Sequence, residues 1–280
     1  MAENNHFIER SLMAVLVLFK ESIFSEDCAS RKGFLQARDP RVKALMIFVL
    51  LLAALFSRSI PFIAGIYGFC LVLALVSSID ILFFWERTLF FIPFFSLFIA
   101  APALFNIFTP GEPLASFHLF GMAVSITKQG AASAGIFFLR VLTSVSLCVL
   151  LALTTRHSVL LKVLRVFKVP QIFVMIMGMC YRYIYLFMEI IQDTYTAIKS
   201  RCGNISSSAR GRKIVAGNIA NLWRRSYDMH NQVYSAMISR GYSGEPKVMD
   251  EFRAGLKDWL CLGVTLSVFI LSLWQNQYLN

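Results

Sequence analysis

No phosphate-cradling GxxxxGK(S/T) loop, HExxH motif, acidic DDxxD cluster or CxxC pair occurs in this sequence. The first absence excludes a Walker-type ATPase, and the others remove the usual sequence marks of a metal or redox centre. Six cysteines, Cys28, Cys70, Cys148, Cys180, Cys202 and Cys261, are dispersed, which indicates neither a disulfide framework nor a zinc site. The four histidines, His6, His118, His157 and His230, show no ligand spacing. The chain is therefore expected to hold no cofactor and no metal of its own. Charge is scarce too. Only 15% of the 280 residues are charged against 57% apolar, a balance that belongs to integral membrane proteins rather than soluble domains. The apolar stretches contain no paired carboxylates and no Cys/His pair, so enzymatic chemistry is not expected.

What is present is long apolar runs. Stretches near 44–56, 60–79, 88–108, 131–153 and 259–274 carry few or no charges, and most approach the roughly 20 residues that cross a bilayer as a helix. That predicts about five spans in an all-α integral membrane protein. Lys43 and Arg58 at the ends of the first, short run are expected to snorkel to the two interfaces. Pro93 and Pro102 are expected to bend the third. The run from Pro170 to Ile191 is long enough to cross, yet it contains Arg182 and three tyrosines; both a span and a helix at the cytoplasmic surface remain open.

Lysine and arginine set the orientation. Residues 1–43 hold 7 of the 27 basic residues and 154–257 hold 16, whereas the loops after the first and third spans hold only Arg58 and Lys128, which predicts a cytoplasmic N-terminus. The net charge of +11 is concentrated beside membrane spans, so anionic headgroups account for it and nucleic acid is not expected as a partner. Leu12 to Phe19 reads as an interfacial helix. The resulting organisation is an N-terminal arm over 1–42, a four-span block over 43–153, a basic cytoplasmic block over 154–257 and a last span over 258–280.

One heptapeptide pattern is written twice: Tyr195-Thr196-Ala197-Ile198-Lys199-Ser200-Arg201 and Tyr234-Ser235-Ala236-Met237-Ile238-Ser239-Arg240. Both end an apparent helix on arginine with glycine close behind. Residues 203–211 read as a loop. From Arg212 the positions Val215, Ile219, Leu222, Ser226, Met229, Val233 and Ala236 form one helical stripe that Arg240 continues, with Gly241 as a left-handed cap. A lone arginine there complements the helix dipole. Two copies in register point instead to two equivalent docking tips, since the guanidinium fork holds an acidic partner that bare carbonyls would repel. Met175, Met177, Met179 and Cys180 read as a flexible packing surface for a mobile neighbour rather than a metal relay. Arg140, near the middle of the fourth apolar run, is expected to pair with carbonyls or with another subunit. The small residues from Gly130 to Gly135 would permit close helix contact.

The doubled Ala-x-x-Ser-Arg elements, Asp39-Pro40-Arg41-Val42-Lys43 before the first span, Thr154-Thr155 after the fourth, and Val169-Pro170 followed by Tyr181-Arg182-Tyr183-Ile184 resemble the transmembrane subunit of energy-coupling factor (ECF) transporters, most closely the cobalt and nickel CbiQ branch. The likeness covers nearly the whole chain. It implies a scaffold in a prokaryotic inner-membrane transporter whose cytoplasmic coupling helices dock on two ATPase subunits and hold a substrate-binding membrane subunit. Carried over residue by residue, Ser200-Arg201-Cys202 and Ser239-Arg240-Gly241 take the docking places, with Met175, Met179, Tyr181, Arg182 and Arg140 as candidates for the subunit interface. The family pattern is Ala-Arg-Gly, so serine replaces alanine twice and cysteine replaces glycine once. The alternatives are a vitamin transporter of the same class, or a self-sufficient permease or channel with a polar path through Arg140, Asn106 and Tyr181.

Overall fold

A computed structural model of the chain describes residues 33–89, 92–100, 113–119, 122–202, 208–244 and 255–278, together with Ala29 and Pro102. Leu12 to Phe19 and Asn106 lie outside them. The chain divides into two compact units; among the described residues one comprises 33–159 with 255–278, and the other 160–202 with 208–244.

The apolar runs of the first unit fold as helices whose starts are written in local chemistry. α1 (Pro40–Phe56) begins where the Asp39 carboxylate accepts the Arg41 backbone N–H at 2.9 Å and Pro40 presets the first turn. α2 (Ile60–Val76) also opens on proline. Two helices stand in place of the predicted third run over 88–108, and they begin earlier: α3 (Ile81–Leu89) lies almost wholly before that run and α4 (Ile92–Ala100) within it, the two together forming a bent pair. Pro93 sits in the first turn of α4, where a missing N–H costs nothing. An antiparallel hairpin, β1 (Pro113–Leu119) and β2 (Met122–Thr127), precedes α5 (Lys128–Thr154), and it is the one departure from all-helical structure among the described residues. The Thr127 hydroxyl accepts the Gly130 N–H and caps α5.

α5 is the hub, packing on α1, α2, α3 and α4. Leu147, Leu150 and Leu153 meet Ile47, Leu50, Ala53, Ile66, Cys70, Leu73 and Phe84 in one buried cluster. Of the small residues at its start, Gly130 and Ala134 are buried, but a methyl group on Gly135 would meet nothing within 4 Å, so close packing there is confined to one edge. α6 (His157–Val166), α7 (Gln171–Cys202), α8 (Ser208–Ser239) and α9 (Leu256–Tyr278) complete the chain. α9 packs on α1 through Asp258, Thr265 and Ser272, buried at intervals of seven. That spacing keeps one straight seam of small or capping residues against the neighbour, while Trp259 and Trp274 are exposed near the two ends, as membrane-interface anchors would be.

By length and composition α5, α7 and α9 can each cross a membrane, and α3 with α4 makes a fourth span if counted as one. The fold is that of an all-α membrane protein.

Of two cations in the first unit, Lys43 corrects its sequence reading and Arg140 meets a carbonyl, one of the two partners expected for it. Lys43 does not snorkel: it is 1% exposed, and its ammonium donates to the Thr154 carbonyl at 2.9 Å, at the end of α5. The Arg140 guanidinium donates to the Ser57 carbonyl at 2.8 Å, at the end of α1. Each helix of this antiparallel pair thus supplies a cation to the negative end of the other's dipole. Arg140 is level with the far end of α1, and α5 extends well past its shorter partner.

Nearby, the Gln36 amide donates to the Ser77 carbonyl at 3.2 Å behind α2, and Arg38 pairs with Asp258 at 3.4 Å while stacking on Phe34. The segment 36–43 therefore touches the end of α2, the end of α5 and the start of α9. Those three termini share one end of the bundle.

Candidate functional site

The second unit is built around an antiparallel pair of long helices, α7 and α8, joined through five residues, 203–207. α7 opens after Pro170, as expected. α8 begins at Ser208, ahead of the predicted Arg212, so Ala209-Arg210-Gly211 lies in its first turn rather than in a loop.

Each repeat ends one of these helices. In both, the serine before arginine is satisfied by its own helix: Ser200 Oγ donates to the Ala197 carbonyl at 2.9 Å, and Ser239 Oγ to the Ser235 carbonyl at 2.9 Å. The two serines are therefore capping the local backbone. Arg201 and Arg240 are exposed and form no ion pair among the described residues.

The second tip is fixed by its cap. Gly241 has φ +81°, the Gly241 N–H reaches the Ile238 carbonyl at 2.9 Å, and the Tyr242 N–H reaches the Met237 carbonyl at 3.0 Å. That is a Schellman ending, which needs a residue without a Cβ at the left-handed position. Tyr242 then turns back, its hydroxyl donating to Met175 Sδ at 3.4 Å and to the Gly244 carbonyl at 3.0 Å. The Arg240 tip is tied in this way to the start of α7. Arg201 stands at the opposite end of the hairpin, and α8, with 32 residues at 1.5 Å each, is about 48 Å long. The side chain of Cys202 lies outside the described residues.

Between the helices runs a groove of about 600 Å³ lined by Met175, Met179, Cys180, Met229, Val233 and Met237 among others, with a floor that is almost entirely apolar. It gathers two of the predicted interface residues, Met175 and Met179, and leaves out three. Met177 of the same run points away and is exposed. Tyr181 pairs with Tyr185 through their hydroxyls at 2.7 Å and an edge-to-face ring contact, Arg182 is exposed, and Arg140 belongs to the other unit. The inward stripe of α8 is Ile214, Asn218, Leu222, Met229, Val233 and Met237; Val215, Ile219 and Ala236, expected in it, are exposed. The shift arises because α8 has apolar residues on two adjoining sides, so spacing alone selects neither.

Sequence reasoning missed Tyr242, which ties the second tip to α7, His230, which lines the groove, and the partner of Lys43. Tyr242 lay past the cap, His230 had no ligand spacing, and Lys43 finds its partner 111 residues away. Among the described residues no group of three or more His, Cys, Asp or Glu side chains is placed to hold a metal ion.

Comparison with known proteins places these features in one family. The chain is 32% identical over 255 residues to an uncharacterized protein of Methanocaldococcus jannaschii, covering 91% of this chain and 87% of that protein. It is 28% identical over 149 residues to the cobalt transport protein CbiQ of Rhodobacter capsulatus, covering 53% of this chain and 61% of that protein. The CbiQ family profile, described as cobalt transport protein, matches residues 31–250, a span that contains both arginine tips, the groove and most of the helical bundle; the chain belongs to the CbiQ cobalt transport protein family.

Proposed function

We propose that this chain is the transmembrane scaffold of an ATP-driven ECF-type uptake transporter for cobalt or nickel ions, in a prokaryotic inner membrane with its N-terminus in the cytoplasm. Arg201 and Arg240, with Ser200, Cys202, Ser239 and Gly241 beside them, dock on two ATPase subunits. The methionine-lined groove between α7 and α8 receives the substrate-binding membrane subunit. The chain moves its partners and performs no chemistry.

The observation that carries this reading is the separation of two like cationic tips, at opposite ends of a hairpin whose arm is about 48 Å long. Two separate acceptors fit that spacing better than one. Docking also requires both tips on the same side of the membrane, and parity supports it. Thr154 and Asp258 share one end of the helix bundle, so the chain between them crosses an even number of times. α8 carries Arg224, Arg225 and Asp228 in its middle, which makes it a poor span. With α8 outside the bilayer, α7 stays outside as well, although its composition alone would allow crossing. When ATP draws the ATPases together, the tips move with them and the hairpin tilts the subunit seated in its groove.

The test is charge reversal, Arg201→Glu with Arg240→Glu, in the reconstituted complex. Uptake coupled to ATP hydrolysis is expected to be lost, and retention of full coupling would sink the docking assignment.

A further inference from the structure

Beside its groove face, α8 carries a second apolar face that no described residue of its own unit covers. Ile219, Trp223 and Tyr227 follow at intervals of four and are 62%, 80% and 64% exposed, and Ile238 continues the same side. The fringe is of one sign. Residues 208–239 hold five basic residues, Arg210, Arg212, Lys213, Arg224 and Arg225, against the single acid Asp228, and at about 100° per residue the exposed Lys213 and Arg224 flank this row while Arg225 falls on the far side of the helix. An indole and a phenol in a row, bordered by cations, match the headgroup layer of an anionic bilayer: the rings take the boundary between water and acyl chains, and the Lys213 ammonium and Arg224 guanidinium meet phosphates. A protein partner would account for the apolar row. It gives no reason for an almost acid-free border, since charges are depleted at the centre of such interfaces.

We propose that the Ile219–Trp223–Tyr227 face of α8 seats on anionic phospholipid headgroups of the leaflet facing the ATPases, so that α8 lies along the membrane surface with its groove open to one side. This rests on the reading that the hairpin does not cross the bilayer, and depth measurement separates the two ideas.

The probe is the full chain with the exposed Trp85, Trp259 and Trp274 replaced by phenylalanine, leaving Trp223 as the only indole. It is placed in nanodiscs of phosphatidylcholine with or without phosphatidylglycerol, with bromine at shallow or at deep acyl positions. A blue-shifted Trp223 emission is expected, quenched most by shallow bromine. It should shift back toward red in discs without phosphatidylglycerol or on Lys213→Glu with Arg224→Glu. Red emission open to acrylamide and indifferent to bromine would overturn the lipid seat while leaving the hairpin beneath the membrane. Stronger quenching by deep bromine would overturn both. Loss of bromine quenching when the ATPase and substrate-binding subunits are added would give the face to a protein partner instead.

Discussion

In the first unit Lys43 and Arg140 each meet a carbonyl at the C-terminus of a neighbouring helix, at 2.9 and 2.8 Å, whereas in the hairpin unit Arg201 and Arg240 stand at the ends of their own helices with no ion pair among the described residues. The contrast extends to packing. The first unit has a continuous buried cluster; α7 and α8 have no fully buried side chain among the described residues. A cation at a helix end satisfies the same need in both places, to face the negative pole of a dipole. In one unit the chain uses that attraction to fix its own helices. In the other it leaves the cation exposed, as the docking proposed for it would require.

The comparison breaks most visibly at the tips. Arg201→Glu or Arg240→Glu is expected to cost about 3–5 kcal/mol of ATPase binding each, more than 100-fold in affinity, while thermal unfolding of the isolated chain stays unchanged. Biolayer interferometry against the purified ATPase subunits, with a melting curve alongside, reads both quantities. The reverse pattern is expected for Lys43→Met. Removing the ammonium leaves the buried Thr154 carbonyl unpaired, at about 1–3 kcal/mol, so the melting temperature falls while ATPase affinity holds. A loss of affinity without a loss of stability at Lys43 would erase the distinction between the units.

A smaller effect sharpens it. Ser200→Ala and Ser239→Ala remove hydroxyls that bond only to their own helix backbone, and are expected to change ATPase affinity by less than about 0.5 kcal/mol each. A larger change, read by the same interferometry, would mean that the hydroxyls leave the helix to contact the partner.

Much of the first unit was legible because its signals are local. Apolar runs became helices, Asp39-Pro40 marked the start of α1, and Pro93 marked the break before α4. The second tip was legible for the same reason: an arginine followed by glycine describes a Schellman ending almost residue by residue. The pairs Lys43 with Thr154, Arg38 with Asp258 and Gln36 with Ser77 were not, because each joins residues far apart in sequence and no periodicity encodes a partner. The seam at Asp258, Thr265 and Ser272 hid in an apolar run whose length was read and whose small residues were not. The β-hairpin was passed over as a connection, although Gly121 between two short β-prone runs is a hairpin signal. On α8 two apolar faces adjoin, so the stripe chosen from spacing mixed residues from both.

The most direct measurement of the docking claim is site-specific photocrosslinking in the assembled complex, with a benzophenone amino acid replacing Ser200 or Ser239 beside each arginine. Irradiation should give a covalent adduct with an ATPase subunit from both positions, and the yield should fall when the adjacent arginine is reversed to glutamate. Adducts with lipid alone, or none from either position in a complex that still hydrolyses ATP, would contradict the account.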